Sequence, residues 1–124
     1  MTDTAVRDAN AAIAASLETV PTPALILDVS KVDRNIARLR AHLAQLGTGF
    51  RPHVKTSKSI DVARRLFPEG VGPITVSTLA EAEYFADAGF ADITYAVGLS
   101  LDRIARARRL VVRGVRLSVL IDTI

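Results

Sequence analysis

The chain has 124 residues, a formal net charge of +3 and no cysteine; 49% of it is hydrophobic and 23% charged. That length suits about one domain, and that composition suits a folded globular protein. The absence of cysteine excludes disulfides and thiolate metal sites, and no apolar run approaches the roughly 20 residues of a membrane span.

Residues 1–21 read as an alanine-rich helical segment. Its apolar run, 11–15, is too short for a signal-peptide core, and it lacks a basic n-region. The expected location is the cytoplasm.

From residue 22 onward strands and helices alternate. Residues 24–28 (ALILD) are a short apolar strand. A helix follows over 31–46, where Val32, Ile36, Leu39, Leu43 and Leu46 make one apolar stripe. Ser30 is its expected N-cap, and Gly47 suits the left-handed position at its end. Residues 50–54 form the next strand. A short helix over 59–67 stops at Pro68 and Gly70.

Residues 73–77 are a third strand. Thr78 and Glu81 then have the spacing of a capping box, opening a helix that runs to Ala88 and ends at Gly89. A fourth strand covers 92–97. Ser100 caps a helix through Arg113, Gly114 ends it, and 115–122 is the fifth strand. Strands alternating with helices imply a parallel α/β sheet with right-handed crossovers. An open doubly wound sheet and a (β/α) barrel both fit. The turn after Asp28 lacks G-x-G-x-x-G and no P-loop is present, which weakens the nucleotide-binding folds. A barrel needs eight strands and about 250 residues. The chain stops directly after a strand, so it reads as about the first half of a (β/α)8 TIM-type barrel, truncated, with its last strand left as an apolar edge.

Six arginines lie between Arg103 and Arg116. They read as a solvated helix face rather than a nucleic-acid surface, since RNP, KH and zinc-finger patterns are missing and aromatics are few. His42 falls on the polar side of the first long helix and receives no role.

Chemistry concentrates in Arg51-Pro52-His53-Val54-Lys55-Thr56-Ser57-Lys58, which holds two of the three lysines and one of the two histidines. On an extended segment Arg51, His53 and Lys55 alternate onto one face. Lys55 falls at the carboxyl end of its strand, where ligands sit in parallel α/β folds. An amine crowded by other cations and partly desolvated has its pKa pushed down, making it nucleophilic near neutral pH. Neighbouring cations also attract a phosphate or carboxylate. From spacing alone, an exposed structural lysine and a hydrogen-bonded structural histidine remain open alternatives.

Thr22-Pro23-Ala24-Leu25-Ile26-Leu27-Asp28, Asn35, Arg51-Pro52-His53-Val54-Lys55-Thr56, and Ser77-Thr78-Leu79-Ala80-Glu81-Ala82-Glu83 with Ala88-Gly89 together resemble the N-terminal half of fold-type III PLP enzymes. The branch they resemble is the D-threonine aldolase and D-serine dehydratase-like group, which shares the alanine racemase N-terminal domain. The resemblance covers about residues 22–97.

It implies a PLP-dependent lyase acting on small D-amino acids, homodimeric at full length. It makes Lys55 the Schiff-base lysine and the group that exchanges protons with the substrate α-carbon. Arg51 and His53 then line the cofactor face. It also assigns ALILD to a separate β domain. The family's KTHK reads Lys55-Thr56-Ser57-Lys58 here, so serine replaces histidine. In the family the C-terminal half supplies most of the phosphate cup and, in metal-dependent members, the divalent-metal ligands; this chain shows no such ligands, and alone it is expected to be inactive. Two other readings are a non-catalytic PLP-homeostasis barrel and a truncated fragment without function.

Overall fold

The computed structural model describes residues 11–14 and 16–122. Residues 11–14 and 16–18 are helical and 19–21 are not; residues 1–10 and 15 of the expected N-terminal helical segment lie outside the described residues. The chain then runs without regular structure through 24–28 into α1 (Val29–Gln45), followed by α2 (Ile60–Arg65), β1 (Ile74–Val76), α3 (Leu79–Asp87), β2 (Asp92–Gly98), a single 3-10 turn (Leu101–Arg103), α4 (Ile104–Val112) and β3 (Arg116–Leu120).

The three strands are parallel and lie in the order β1-β2-β3. Ahead of them, His53 makes a parallel bridge with Thr75. Thr75 N–H donates to the Pro52 carbonyl at 2.8 Å, and Val54 N–H donates to the Thr75 carbonyl at 3.0 Å. Sequence order and spatial order therefore coincide across the sheet.

Alternation sorts the strand residues onto two faces. Ile74, Val76, Ile93 and Tyr95 point to one side and are fully buried against Ala82, Phe85, Ala107 and Leu110 of α3 and α4. Val54 and Ala63 extend the same core. Phe85 and Phe90 meet edge to face with ring centroids 5.5 Å apart, a favoured aromatic geometry. Among the described residues, α3 and α4 thus pack on this one face. A doubly wound sheet reverses strand order and carries helices on both faces. The order and sidedness seen here match single winding.

Several local expectations hold. Thr78 accepts from Glu81 N–H at 3.0 Å, while the Glu81 carboxylate accepts from Thr78 N–H, so the capping box forms in full. Gly47, Gly89 and Gly114 all take positive φ at helix ends.

Four expectations need correction. Residues 24–28 form no strand, and Leu25 is 94% exposed: an apolar run becomes a strand only beside a partner, and among the described residues it has none. The 50–54 strand shrinks to one bridge. Pro52 has no N–H to extend the ladder, and the chain turns directly after Val54. α1 is capped by Asp28, whose carboxylate accepts from Lys31 N–H at 2.9 Å; Ser30 instead donates its hydroxyl to Asp28. Ser100 caps nothing through its side chain, and the helix after it starts as a 3-10 turn. The Arg103 of that turn donates to the buried Tyr95 hydroxyl.

Candidate functional site

The face of the sheet opposite the helices is polar. The registers His53↔Thr75, Thr75↔Thr94 and Thr94↔Ser118 put an imidazole and three hydroxyls in one row across all the paired segments. His53, Thr75 and Thr94 are half-buried and Ser118 is exposed. Toward the N-terminal ends of the strands lies a second row, in which Asp92 accepts from Arg51 Nη2 at 2.9 Å and also from Arg116. Burial pushes the Asp92 carboxyl up, but the hydrogen bonds from Arg116 and Arg51 outweigh it and hold the group below its ordinary value.

This arrangement divides the three residues that alternation puts on one face. Arg51 bends to the N-terminal ends, where it also donates to the Ile74 carbonyl at 3.3 Å. Its charge is occupied by Asp92. His53 and Lys55 stay toward the carboxyl ends. His53 Nε2 lies 3.3 Å from Ser77 Oγ, and its Nδ1 accepts from the Lys55 backbone N–H at 3.3 Å. Both ring nitrogens of His53 are thus engaged, one by the Lys55 backbone and one by the Ser77 hydroxyl.

Lys55 opens a tight turn. Its side chain is exposed. Of the three lysines, Lys31 pairs with Asp28 at 3.3 Å and Lys58 with Glu81 at 3.2 Å. Lys55 pairs with no carboxylate among the described residues. The turn closes where Lys58 N–H donates to the Val54 carbonyl at 2.9 Å. Lys58 has φ +46°, a left-handed conformation that costs a side-chain-bearing residue roughly 1–2 kcal/mol.

Glu81 is only 8% exposed. Besides Lys58 it accepts from Ser77 N–H at 2.8 Å. Burial acts to raise its pKa; the bonds from Ser77, Lys58 and Thr78 prevail and hold it low. The capping-box spacing identifies Glu81 in the sequence, but its ion pair with Lys58 is missed. So is Ser77 as the partner of His53. Both contacts join segments more than twenty residues apart, and periodicity carries no such signal.

The arginine cluster is largely used internally. Arg106 pairs with Glu83 through Nη2 at 2.6 Å, Arg113 with Asp87, Arg116 with Asp92, and Arg103 binds Tyr95. Among the described residues no three His, Asp or Glu side chains gather as a metal site, and no helix is long and apolar enough to cross a membrane.

No protein-family model matches the chain. Individual proteins do. A D-threo-3-hydroxyaspartate dehydratase from Delftia sp. (strain HT23) is 44% identical over 109 residues, which is 88% of this chain and 29% of the relative. A D-serine dehydratase from Dictyostelium discoideum is 33% identical over 83% of this chain and 27% of its own length. A D-threonine aldolase from Arthrobacter sp. is 32% identical over 62% of this chain and 20% of its own length. The solved structure of the Delftia dehydratase superimposes with a TM-score of 0.80 over 85% of this chain and 28% of that one, at 45% identity. An alanine racemase-like protein from Idiomarina loihiensis gives 0.73 over 77% of this chain and 26% of its own, at 40% identity.

The parallel sheet with its one-sided helices is therefore an alanine racemase-like α/β fold. Within that fold the chain belongs to the group of D-serine dehydratases, D-threo-3-hydroxyaspartate dehydratases and D-threonine aldolases. It spans less than a third of the length of these relatives.

Proposed function

We propose that these residues are the N-terminal part of a pyridoxal phosphate-dependent lyase acting on small D-amino acids, with Lys55 as the cofactor anchor. The relatives are dehydratases and aldolases of D-configured substrates by name. The observation that carries the reading is the state of Lys55. It stands at the carboxyl end of the first paired segment, the ligand-binding end of parallel α/β folds. Its side chain is exposed, and it alone of the three lysines has no carboxylate partner among the described residues.

The donor set fits the cofactor. An aldehyde-bearing ligand is held by an accessible primary amine, and Lys55 provides one. The polar sheet face beside it offers the His53, Thr75 and Thr94 side chains. Bound there, the cofactor's pyridine ring supplies an electron sink for the substrate α-carbon. The protein's own part is placement. His53, tied to Ser77, fixes the Lys55 backbone, and Arg51, paired with Asp92, braces the base of the segment. Lys55 would also be the residue to exchange protons at the substrate α-carbon, since the amine that holds the cofactor stays within reach of it. We further propose that the sheet continues into a closed barrel in the complete enzyme, which the consecutive strand order and one-sided helices support.

Adding pyridoxal phosphate to the purified chain and recording the near-ultraviolet band of the lysine-bound cofactor tests the anchor. The band is expected for the wild type and for Lys31→Ala, and is expected to vanish in Lys55→Ala. A band of equal strength in Lys55→Ala rules the anchor out.

A further inference from the structure

Lys55 lies inside a turn whose far end is held in a costly conformation. Lys58 is the only non-glycine residue with positive φ among the described residues. Asparagine or glycine is the usual occupant of such a position. A lysine persists there when its surroundings over-determine it, and such sites gather where geometry serves function. Two contacts do so here. The Lys58 N–H closes the turn onto Val54 at 2.9 Å, and Lys58 Nζ reaches Glu81 Oε1 at 3.2 Å.

Glu81 is an unusual partner. It is the buried charged residue of the core region, and its other oxygen accepts from the Ser77 and Thr78 N–H groups at 2.8 and 3.3 Å. Those two residues form the turn between β1 and α3, and Ser77 also holds His53. The Lys55 turn is thereby fastened at both ends to one rigid corner: by His53–Ser77 before Lys55 and by Lys58–Glu81 after it. A capping box needs its glutamate only for the backbone N–H. The second oxygen, aimed at Lys58, is surplus to capping.

We infer that Glu81 is a positioning residue for Lys55, acting through Lys58 to hold the 54–58 turn so that the Lys55 amine projects from the carboxyl end of the sheet. This inference rests on the cofactor reading above and deepens it. It explains the placement of a left-handed lysine three residues after the anchor, and it gives Lys58 a task distinct from that of Lys55.

Glu81→Gln separates the two roles of the glutamate. The amide oxygen can still accept from Ser77 and Thr78, whereas the neutral side chain has no charge for Lys58. Lys58→Met removes the same pair from the other side, and Lys58→Arg keeps it. Two readouts are made on the full chain. The first is amide hydrogen exchange by mass spectrometry. The second is the fraction of Lys55 converted to a pyridoxyl adduct after pyridoxal phosphate and borohydride.

The expected result is exchange across 54–58 at least tenfold faster in Glu81→Gln and Lys58→Met, with β1, β2 and β3 unchanged, and a several-fold loss of Lys55 adduct. Lys58→Arg is expected to behave as wild type. Unchanged exchange at 54–58 overturns the inference. So does faster exchange throughout the sheet, which means general destabilisation, and so does faster loop exchange with undiminished adduct. Absence of adduct on wild-type Lys55 overturns the cofactor reading instead, and the clamp is then judged by the exchange data alone.

Discussion

Arg51 Nη2 donates to Asp92 Oδ1 across β1 at 2.9 Å, joining the first paired segment of the sheet to the start of its second strand. Arg116 of β3 meets the other carboxylate oxygen. One aspartate of β2 thus ties the segment before β1 to β3 at the N-terminal ends of the strands, and the charge of Arg51 is paired there.

Removing that aspartate leaves two arginines facing each other. Exposed ion pairs contribute about 0.2–1 kcal/mol each. Asp92→Ala is expected to lower stability by about 1–2 kcal/mol, with a smaller loss for Arg116→Ala, since the Arg116 side chain is 78% exposed. Urea denaturation followed by circular dichroism measures both. An unchanged midpoint for Asp92→Ala removes the brace from the account.

Acid should loosen the fold. Hydrogen bonding to Arg106 holds Glu83 low against the opposing effect of burial, and Glu81 and Asp92 are held low by their partners. A carboxylate whose folded pKa is depressed stabilises fully above its unfolded value and loses that contribution as pH falls through the folded value. The unfolded value of a glutamate is near 4.5. The urea midpoint is therefore expected to fall progressively below about pH 4.5. A midpoint that rises on acidification contradicts these three pairings.

Phe85 is fully buried between the sheet and Phe90. Truncating a buried phenylalanine costs about 3–5 kcal/mol, and a domain of ordinary stability has only about 5–15. Phe85→Ala is expected to lose most cooperative unfolding in a thermal scan. Thr78→Ala, which removes only the N-cap, is expected to cost about 1 kcal/mol. A Phe85→Ala melting curve matching that of Thr78→Ala argues against Phe85 as the centre of the core.

Gly72 is closed to any side chain, because a Cβ there lies 2.3 Å from the Phe67 ring. Gly72→Ala must displace that ring from Phe90, which it meets at 6.3 Å. Overpacking of this kind costs about 1–3 kcal/mol. Restoration by the second change Phe67→Leu, in the same denaturation assay, is the expected signature. Equal stability of wild type and Gly72→Ala contradicts the packing described.

Some local signals in the sequence led to the right local structure, although the caps expected at Ser30 and Ser100 did not form. Thr78 and Glu81 announce their helix because both capping partners lie within one turn. The glycines at 47, 89 and 114 mark helix ends because the chain takes a left-handed residue there. ALILD misleads because strand formation depends on a partner elsewhere, and Pro52 limits the 50–54 strand in a way that alternation ignores. The octet around Lys55 stands out in the sequence as a candidate site, and the family it resembles agrees with the relatives found. The division of labour within it was not legible there. Asp92 takes Arg51, Ser77 takes His53 and Glu81 takes Lys58, each from a segment over twenty residues away, and Lys55 is left without a carboxylate among the described residues.

The central claim is that Lys55 holds pyridoxal phosphate. Borohydride reduction of the chain mixed with the cofactor, followed by peptide mass spectrometry, reads it directly. The expected result is a pyridoxyl adduct concentrated on Lys55, with Lys31 and Lys58 nearly unmodified. Adduct spread evenly over the three lysines, or absent from Lys55, contradicts the account.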